Sequence, residues 1–164
     1  MRRKDREVTS IADIKSILQK CKSCRIGLYD GSYPYVVPVN YGYEIIEGEI
    51  VIYFHSSKRG KKAELLELSP NVCIEVDCPG PLDASAEKQE CSMDYESLIG
   101  FGTAEVLPEE EKKAALDFII QHYHGEKGFA YNTDMISSVM VCRVKLNSYS
   151  AKRRALATKK NPEN

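Results

Sequence analysis

The chain has 164 residues, 43% of them hydrophobic and 29% charged, and it carries a net charge of −1 at pH 7. This length and composition predict one domain over residues 1–164, and the balanced charge, without a basic stripe, argues against a nucleic-acid partner. The longest uncharged apolar run is too short to span a membrane and the N-terminus is charged where a signal peptide is apolar, so we expect a cytoplasmic protein.

A short helix is predicted near the N-terminus, after residues 1–8, which we expect to be frayed. Ser10 begins it and Asp13 follows three residues later, as in a capping box. The helix ends near Cys21. Its apolar residues recur at helical spacing on one face: Ile11, Ile14, Ile17 and Leu18.

Strands joined by short turns come next. In chain order they are strands over 24–29, 33–46 and 49–54, with turns at 30–31 and 47–48. Pro34 and Pro38 bend the second strand. Turns this short cannot make the crossover that parallel pairing needs, so the neighbouring strands must be antiparallel. This favours a barrel or meander over a doubly wound parallel sheet.

The rest of the chain alternates helices and strands. The predicted order is a helix over Lys61–Leu68, a strand over 72–77, a loop over 79–91, a strand over 94–107, a helix starting at Pro108, an irregular segment over 125–134, a strand over 138–146 and a frayed tail over 152–164. Gly100 and Gly102 are expected to mark a bend or bulge. The helix after Pro108 should bury Leu116, Ile119, Ile120 and Tyr123.

The segment between strand 49–54 and the helix Lys61–Leu68 carries the strongest chemical signal. Small hydroxyl residues and a basic, glycine-containing turn precede the helix. Backbone N–H groups and the helix dipole favour an anion there, and lysines add counter-charge. The spacing is not that of a Walker loop, and the glycines are too few for a dinucleotide fingerprint. A phosphate site is one interpretation; a solvated, lysine-rich first turn is the other.

Six cysteines are present, and only Cys21 and Cys24 form a C-x-x-C pair. A structural zinc site needs a second ligand pair, which the chain lacks. The pair lies at a helix-to-strand junction instead of in the βαβ context of a thioredoxin-like dithiol. We therefore expect reduced, structurally dispensable thiols and no metal site.

Several ordered blocks together resemble a known family. They are the segments 33–41, 51–56, 60–66 and 70–75, preceded by a basic run at 1–7 and by Lys20-Cys21-Lys22. These blocks resemble the FMN-binding split-barrel family related to pyridoxamine 5′-phosphate oxidase, and within it the Nim-type 5-nitroimidazole-resistance proteins. The match is densest up to residue 77, returns at 95–106 and thins over the last third.

The resemblance implies a mainly β fold with a few helices, a split barrel of antiparallel strands that binds FMN between the two protomers of a homodimer. Lys61 and Lys62 match a basic pair on the FMN phosphate, and Gly60 takes a position often held by serine. A strand beneath the ribityl chain and ring is matched by Val37, Pro38, Val39, Asn40 and Tyr41. Such a strand offers main-chain groups to the flavin, although Pro38 has no N–H to donate. Asn40 is the best-placed polar side chain, with a turn or ladder role as its alternative.

His55 and Ser56 match the strand end that faces the flavin ring and the ribityl phosphate. His55 is the predicted catalytic residue, and its alternative is a strand-end histidine half buried against the core. Ser97 resembles a position that meets FMN from a neighbouring strand or protomer. His122 and His124 are interpreted as surface residues.

The implied activity is a reductase that passes electrons to a small planar acceptor such as a nitroaromatic. The oxidation of vitamin B6 is not expected, because the chain has no tryptophan and residues 152–155 do not reproduce the C-terminal segment of the true oxidases. Some relatives bind haem through a histidine instead. The alternative function is therefore a flavin- or haem-binding storage or sensor module without turnover.

Overall fold

A computed structural model describes residues 2–85, 90–125 and 128–154. The elements, in chain order, are a 3-10 helix at Lys4–Arg6, β1 (Glu7–Val8), α1 (Ile11–Lys20), β2 (Ser23–Tyr29), β3 (Pro34–Val39), β4 (Tyr41–Ile46), β5 (Glu49–Ser57), α2 (Lys61–Leu68), β6 (Asn71–Ser85), β7 (Glu90–Val106), α3 (Glu109–His124), α4 (Thr133–Ser138) and β8 (Val139–Arg154). Within these residues, no helix is both long and apolar enough to cross a membrane.

All strand pairs in this part of the chain are antiparallel, and they form one sheet in the order β3-β2-β6-β7-β8-β5-β4, with β1 added beside β8. The strands at the two ends of this order, β3 and β4, are separated along the chain only by Asn40. The sheet must therefore curl until its two edges meet at Asn40. The predicted split barrel of antiparallel strands with flanking helices is confirmed.

The core lies inside this curled sheet and beneath α1. The helix contributes Ile14, Ile17 and Leu18, all fully buried, against inward-facing residues of the strands. A second, smaller cluster lies where α3 crosses β4 and β5. Gly42 permits that crossing, because a Cβ at this position would lie 2.4 Å from the carbonyl carbon of Phe118.

The predicted single strand over 33–46 is wrong. The chain forms β3 and β4 on either side of Asn40, and each pairs with a different partner, β2 and β5 respectively. Apolar continuity could not reveal this break, because both segments carry the same strand-like pattern and only the closure of the sheet separates them. The turn at 47–48 is confirmed, with positive φ at both Glu47 and Gly48 as two-residue hairpins require.

The predicted loop over 79–91 is also wrong over most of its length. Strands β6 and β7 continue into it as a long ribbon, with Leu82 opposite Met93 after a register shift beyond Pro79. Both of these side chains are exposed. A ribbon that extends beyond the core needs no apolar alternation, which is why its polar sequence resembled a loop. Residues 86–89 lie outside the described part.

The expected fraying of both ends is contradicted where the structure describes them. β8 continues to Arg154 instead of ending at 146, and Glu7 of β1 pairs with Lys152. The remainder of the predicted tail, 155–164, lies outside the described residues. The predicted bulge is confirmed, since the β7–β8 register shifts between Phe101 and Gly102. Part of the predicted irregular segment forms α4.

Candidate functional site

The N-terminus of α2 lies at an open edge of the barrel, directly after β5. Gly60 precedes the helix with φ 103° and ψ 172°, a conformation that side-chain-bearing residues rarely adopt. A Cβ added to Gly60 would meet no atom within 4 Å, so the backbone turn, and not crowding, requires glycine. Among the residues that the structure describes, no side chain caps this end of α2. Its first N–H groups therefore remain available to an external acceptor.

Lys61 is tied to the turn between β2 and β3. Its Nζ lies 2.7 Å from Oδ2 of Asp30 and 4.8 Å from the centre of the Tyr35 ring. The other oxygen of Asp30 accepts hydrogen bonds from the backbone N–H groups of Ser32 and Tyr33. The Lys61 hydrogen bond, followed by these two, holds the pKa of Asp30 well below its ordinary value. Lys61 thus has an anionic partner within its own chain.

Lys62 has a different environment from its neighbour. Its side chain is half-buried, with Nζ 5.9 Å from the centre of the Phe54 ring. No carboxylate of the described residues lies within ion-pair distance of it. Burial lowers the pKa of Lys62, and nearby Cys142 opposes that shift. A partly desolvated ammonium without a carboxylate is a costly arrangement unless an anion completes it.

Asn40 and His55 both adjoin the last pair of the β4–β5 ladder, beside the junction of β3 and β4. The β4–β5 register pairs Tyr41 with Phe54, and both of these side chains are fully buried. Asn40 and His55 each lie one position beyond this pair, and both are exposed. Desolvation by the surrounding atoms, and then the charge of Lys62, lower the pKa of His55. Its imidazole is therefore neutral at neutral pH.

The remaining residues of the matched strands take distinct positions. Ser56 is half-buried and pairs with Met140 of β8. In β3, Val37 and Val39 pack against the core while Pro38 is exposed on the outer face. These three residues pair only with β2, so the opposite edge of β3 is free in the described part of the chain.

Tyr41 is a core residue. Its hydroxyl lies 2.7 Å from the Leu18 carbonyl oxygen and 2.9 Å from that of Cys21, and its N–H donates to the Tyr123 hydroxyl at 3.3 Å. Only the main chain of Tyr41 reaches the β3–β4 junction. Tyr123, predicted to be buried, is 40% exposed, and its hydroxyl accepts from the Tyr41 N–H and donates to the Lys22 carbonyl oxygen.

Ser97 is not brought together with this cluster inside one chain. His55 pairs with Val141 of β8, whereas Ser97 pairs with Lys152, eleven positions along the same strand. At about 3.3 Å per residue, this separates the two by roughly 35 Å along β8. Ser97 shares the outer face of β7 with the exposed residues Ile99 and Phe101.

The sequence-based interpretation of His122 as a surface residue is wrong, while His124 is exposed as predicted. The His122 ring lies 4.5 Å from that of Tyr41, and its Nε2 is 3.0 Å from the Cys21 carbonyl oxygen. Burial, and then the charge of Lys22, lower its pKa to about 4. A cavity of about 700 Å³ opens here between α1, β4 and α3, away from His55 and Lys62. The pattern of α3 predicted its buried aliphatic residues but gave no signal for a histidine at its C-terminal end.

Comparisons with known proteins agree with this architecture. Residues 10–153 match the family model described as pyridoxamine 5′-phosphate oxidase. The solved structure of a candidate 5-nitroimidazole antibiotic resistance protein from Bacteroides thetaiotaomicron is 32% identical, with a TM-score of 0.77 over 90% of this chain and 86% of that chain. No match was found among curated proteins.

Two more distant structures share the fold. The flavocytochrome Anf3 from Azotobacter vinelandii is 20% identical, with a TM-score of 0.76 over 95% of this chain and 72% of that one. An FAD and haem binding protein from Mycobacterium smegmatis is 19% identical, with a TM-score of 0.75 over 92% and 74%. At these identities the similarity describes the fold alone.

Proposed function

Because the chain belongs to the pyridoxamine 5′-phosphate oxidase family, we propose that it is an FMN-binding reductase of small planar acceptors such as nitroaromatics. The relative at 32% identity, described as a candidate 5-nitroimidazole resistance protein, supports this choice of acceptor class. The observation that carries the proposal is Lys62, a half-buried cation beside the N-terminus of α2, for which the described residues supply neither a carboxylate partner nor a side-chain cap of the helix.

The residues at this edge of the barrel fit a phosphate. The first N–H groups of α2, freed by the turn at Gly60, can donate to its oxygens, and Lys62 can supply a counter-charge that no carboxylate of the described residues neutralises. Lysine binds phosphate as a point charge, so this contact tolerates small changes in orientation. The ammonium of Lys61 would contact the phosphate only if it divided its hydrogen bonds between the phosphate and Asp30, or if it left Asp30.

The free edge of β3 fits the polar rim of a flavin ring. Main-chain N–H and C=O groups of an edge strand are unpaired within the sheet and can bond to a ligand, except that Pro38 cannot donate. Asn40 adds a side-chain amide at the same junction, and Ser56 adds a hydroxyl on β5. Bound flavin would supply the electron-transfer chemistry, and the protein would supply orientation and electrostatics.

His55 is the residue that we assign to the acceptor. It is exposed and lies one position beyond the last β4–β5 pair, beside the β3–β4 junction. A lowered pKa keeps it neutral near pH 7, so it can donate one hydrogen bond without placing a positive charge there. Its role would be to orient the acceptor and to hold a proton at one ring nitrogen.

The proposal includes a homodimer, because one chain leaves this edge open to water. An apolar row crosses four strands of the outer face, where the register aligns Val36, Gly27, Cys73 and Phe101. Val36 is 56% and Phe101 57% exposed. The row is continuous with β3 and, on β7, with Ser97. A second copy seated on it could bring its own Ser97 toward the cofactor of the first.

The phosphate contact is tested by titrating FMN and riboflavin against the wild type and Lys62→Ala. Riboflavin lacks the phosphate, so the variant should weaken FMN by roughly 10- to 100-fold, the value of one charge-assisted contact, and riboflavin by much less. Lys113→Ala is the matched control, because Lys113 pairs with Asp117 on the exposed side of α3. Equal losses for the two ligands in Lys62→Ala would contradict the assignment.

Turnover is tested by mixing the FMN-loaded protein with NAD(P)H and a nitroaromatic acceptor. Bleaching of the flavin bands by the donor, followed by their return on addition of the acceptor, is the expected result. Stable flavin bands without acceptor reduction would favour the storage or sensor alternative. A Soret band in the freshly purified protein would favour haem.

The dimer is tested by sedimentation of the wild type and Phe101→Glu. Interfaces of obligate dimers commonly bury more than about 2,000 Å² in total, so one buried charge in the row should separate the protomers. The exposure of Phe101 means that the variant should still fold. A wild-type monomer that binds FMN tightly would remove this part of the proposal.

We also infer a reducing compartment such as the cytoplasm. All six cysteines are free thiols in the structure, including the buried Cys21, Cys24 and Cys142. Proteins exported to oxidising compartments usually convert such thiols to disulfides.

A further inference from the structure

Cys21 has a thiol neighbour, but it is not its C-x-x-C partner Cys24. Its Sγ lies 3.0 Å from Sγ of Cys78, a residue of β6 that is 57 positions away in the sequence. The Cys24 thiol lies instead 4.0 Å from the Arg25 carbonyl oxygen, within the core. In the folded chain, Cys21 therefore lies beside a cysteine that is distant in sequence, and not beside its C-x-x-C partner.

The main chain around Cys21 is held firmly in this position. Its N–H donates to the Ile17 carbonyl oxygen at 2.9 Å and terminates α1. Its own carbonyl oxygen accepts from the Tyr41 hydroxyl at 2.9 Å and lies 3.0 Å from Nε2 of His122. With the backbone fixed by three contacts, the thiol of Cys21 remains directed toward Cys78.

The two thiols differ in exposure. Cys21 is fully buried, whereas Cys78 is partly accessible and lies 3.9 Å from a carboxylate oxygen of Glu96, its cross-strand partner. Burial, and then the hydrogen bond to Cys78, raise the pKa of the Cys21 thiol. Cys78 is therefore the thiol that meets a dissolved oxidant first, and Cys21 is the one placed to react second.

We propose that Cys21 and Cys78 form a two-cysteine oxidation site that converts to a reversible disulfide on exposure to hydrogen peroxide. The sulfur of Cys78 attacks one peroxide oxygen, the O–O bond breaks and one water leaves, which gives a sulfenic acid at Cys78. The sulfur of Cys21 then attacks that sulfur, the S–O bond breaks, the S–S bond forms and a second water leaves. Two thiols lose two hydrogens and two electrons, and one peroxide becomes two waters.

The cysteine pair shares no residue with the cofactor site proposed above. It lies at the end of α1, on strand β6, whereas Lys62 and His55 lie at the end of β5 and the start of α2. Loss of FMN binding would leave the prediction intact, and failure of the disulfide would leave the reductase proposal intact.

The experiment is a peptide map of the full chain. The purified protein, with whatever flavin it carries, is treated with hydrogen peroxide, alkylated under denaturing conditions and digested without reductant. The expected result is a covalent link between the Cys21 and Cys78 peptides, with free thiols falling from six to four and returning to six with dithiothreitol. A Cys21–Cys24 link, or oxidation confined to Cys91, would overturn the proposal.

Variants separate the two steps. Cys21→Ser should abolish the link and leave a sulfenic acid at Cys78 that dimedone labels, whereas Cys78→Ser should leave neither. Cys91→Ser is the control, because Cys91 is the exposed cysteine on the β6–β7 ribbon, and it should form the link as the wild type does. Dimedone labelling of Cys21 in Cys78→Ser would reverse the assigned order of attack. The peptide map of the wild-type protein tests the proposal even if a variant fails to fold.

Discussion

Two ends of the barrel carry similar charged and polar side chains but differ in how completely these side chains are paired. At the α1 end, which comprises Cys21, Cys78, Glu96 and His122, each polar group has a partner within the chain. Glu96 is only 7% exposed, and its carboxylate lies 2.5 Å from both the Lys20 ammonium and the Arg153 guanidinium. This end is a closed network that holds α1 and the end of β8 against β7.

At the α2 end, which comprises His55, Lys61 and Lys62, the network is incomplete. Lys61 has Asp30, but Lys62 has no carboxylate among the described residues, and the helix start lacks a side-chain cap. A half-buried cation that is left unsatisfied costs stability unless a ligand supplies the missing charge. The complete network contributes to folding, and the incomplete one is where we propose that a ligand binds.

Glu96→Ala should give the largest effect if this contrast is correct. The change removes two charge-assisted hydrogen bonds at a buried position and should lower the free energy of unfolding by about 3 kcal/mol. Glu49→Ala is the control, because the Glu49–Lys145 pair is more than half exposed and should contribute less than about 0.5 kcal/mol. Urea unfolding measures both, and similar losses in the two variants would contradict the assigned role.

His122 should make the α1 end sensitive to acid. Its pKa is about 4 in the folded state, against 6.5 for an ordinary histidine, so the unfolded chain binds the proton first as the pH falls. Stability is therefore lost between about pH 6.5 and 4, by about 1 kcal/mol from pH 7 to pH 5 after a discount for partial exposure. His122→Gln should flatten this part of the profile. An unchanged slope would mean that other groups cause it.

Lys61 and Lys62 should contribute unequally to FMN binding. The ammonium of Lys61 is already paired with Asp30, so Lys61→Ala should weaken FMN binding by only about a few-fold. Asp30→Asn should release Lys61 and strengthen FMN binding slightly, while riboflavin binding stays the same. Isothermal titration of both ligands measures these changes. A loss in Lys61→Ala as large as that in Lys62→Ala would show that Lys61 leaves Asp30 for the phosphate.

His55→Ala should have the smallest effect on cofactor affinity. Its ring is exposed on the acceptor side, so FMN binding should stay within a few-fold of the wild type while the rate of nitroaromatic reduction falls about 100-fold, in the range typical of a positioned acid–base group. Stopped-flow reoxidation of the reduced protein separates the two quantities. Unchanged turnover would make His55 a strand-end residue without a catalytic role.

The antiparallel architecture was predictable from short turns and apolar alternation, and the bounds of α2 were predicted to the residue. The strand break at Asn40 was not, because β3 and β4 share one pattern and differ only in which strand each meets. Nor was the ribbon over β6 and β7, since strands that extend beyond the core do not alternate. Local pattern predicts elements well where one face is buried and poorly where neither is.

By itself, the sequence determined the helices and strands that bury one face, and that a basic turn precedes a helix, because these features depend on residues a few positions apart. The tertiary structure alone decided that Lys61 has a carboxylate partner while Lys62 has none in the described part of the chain, since the difference comes from Asp30, 31 positions before Lys61. It also placed Cys21 beside Cys78 instead of Cys24, across 57 positions. Such partners become neighbours only through strand register and barrel closure, which no local spacing encodes.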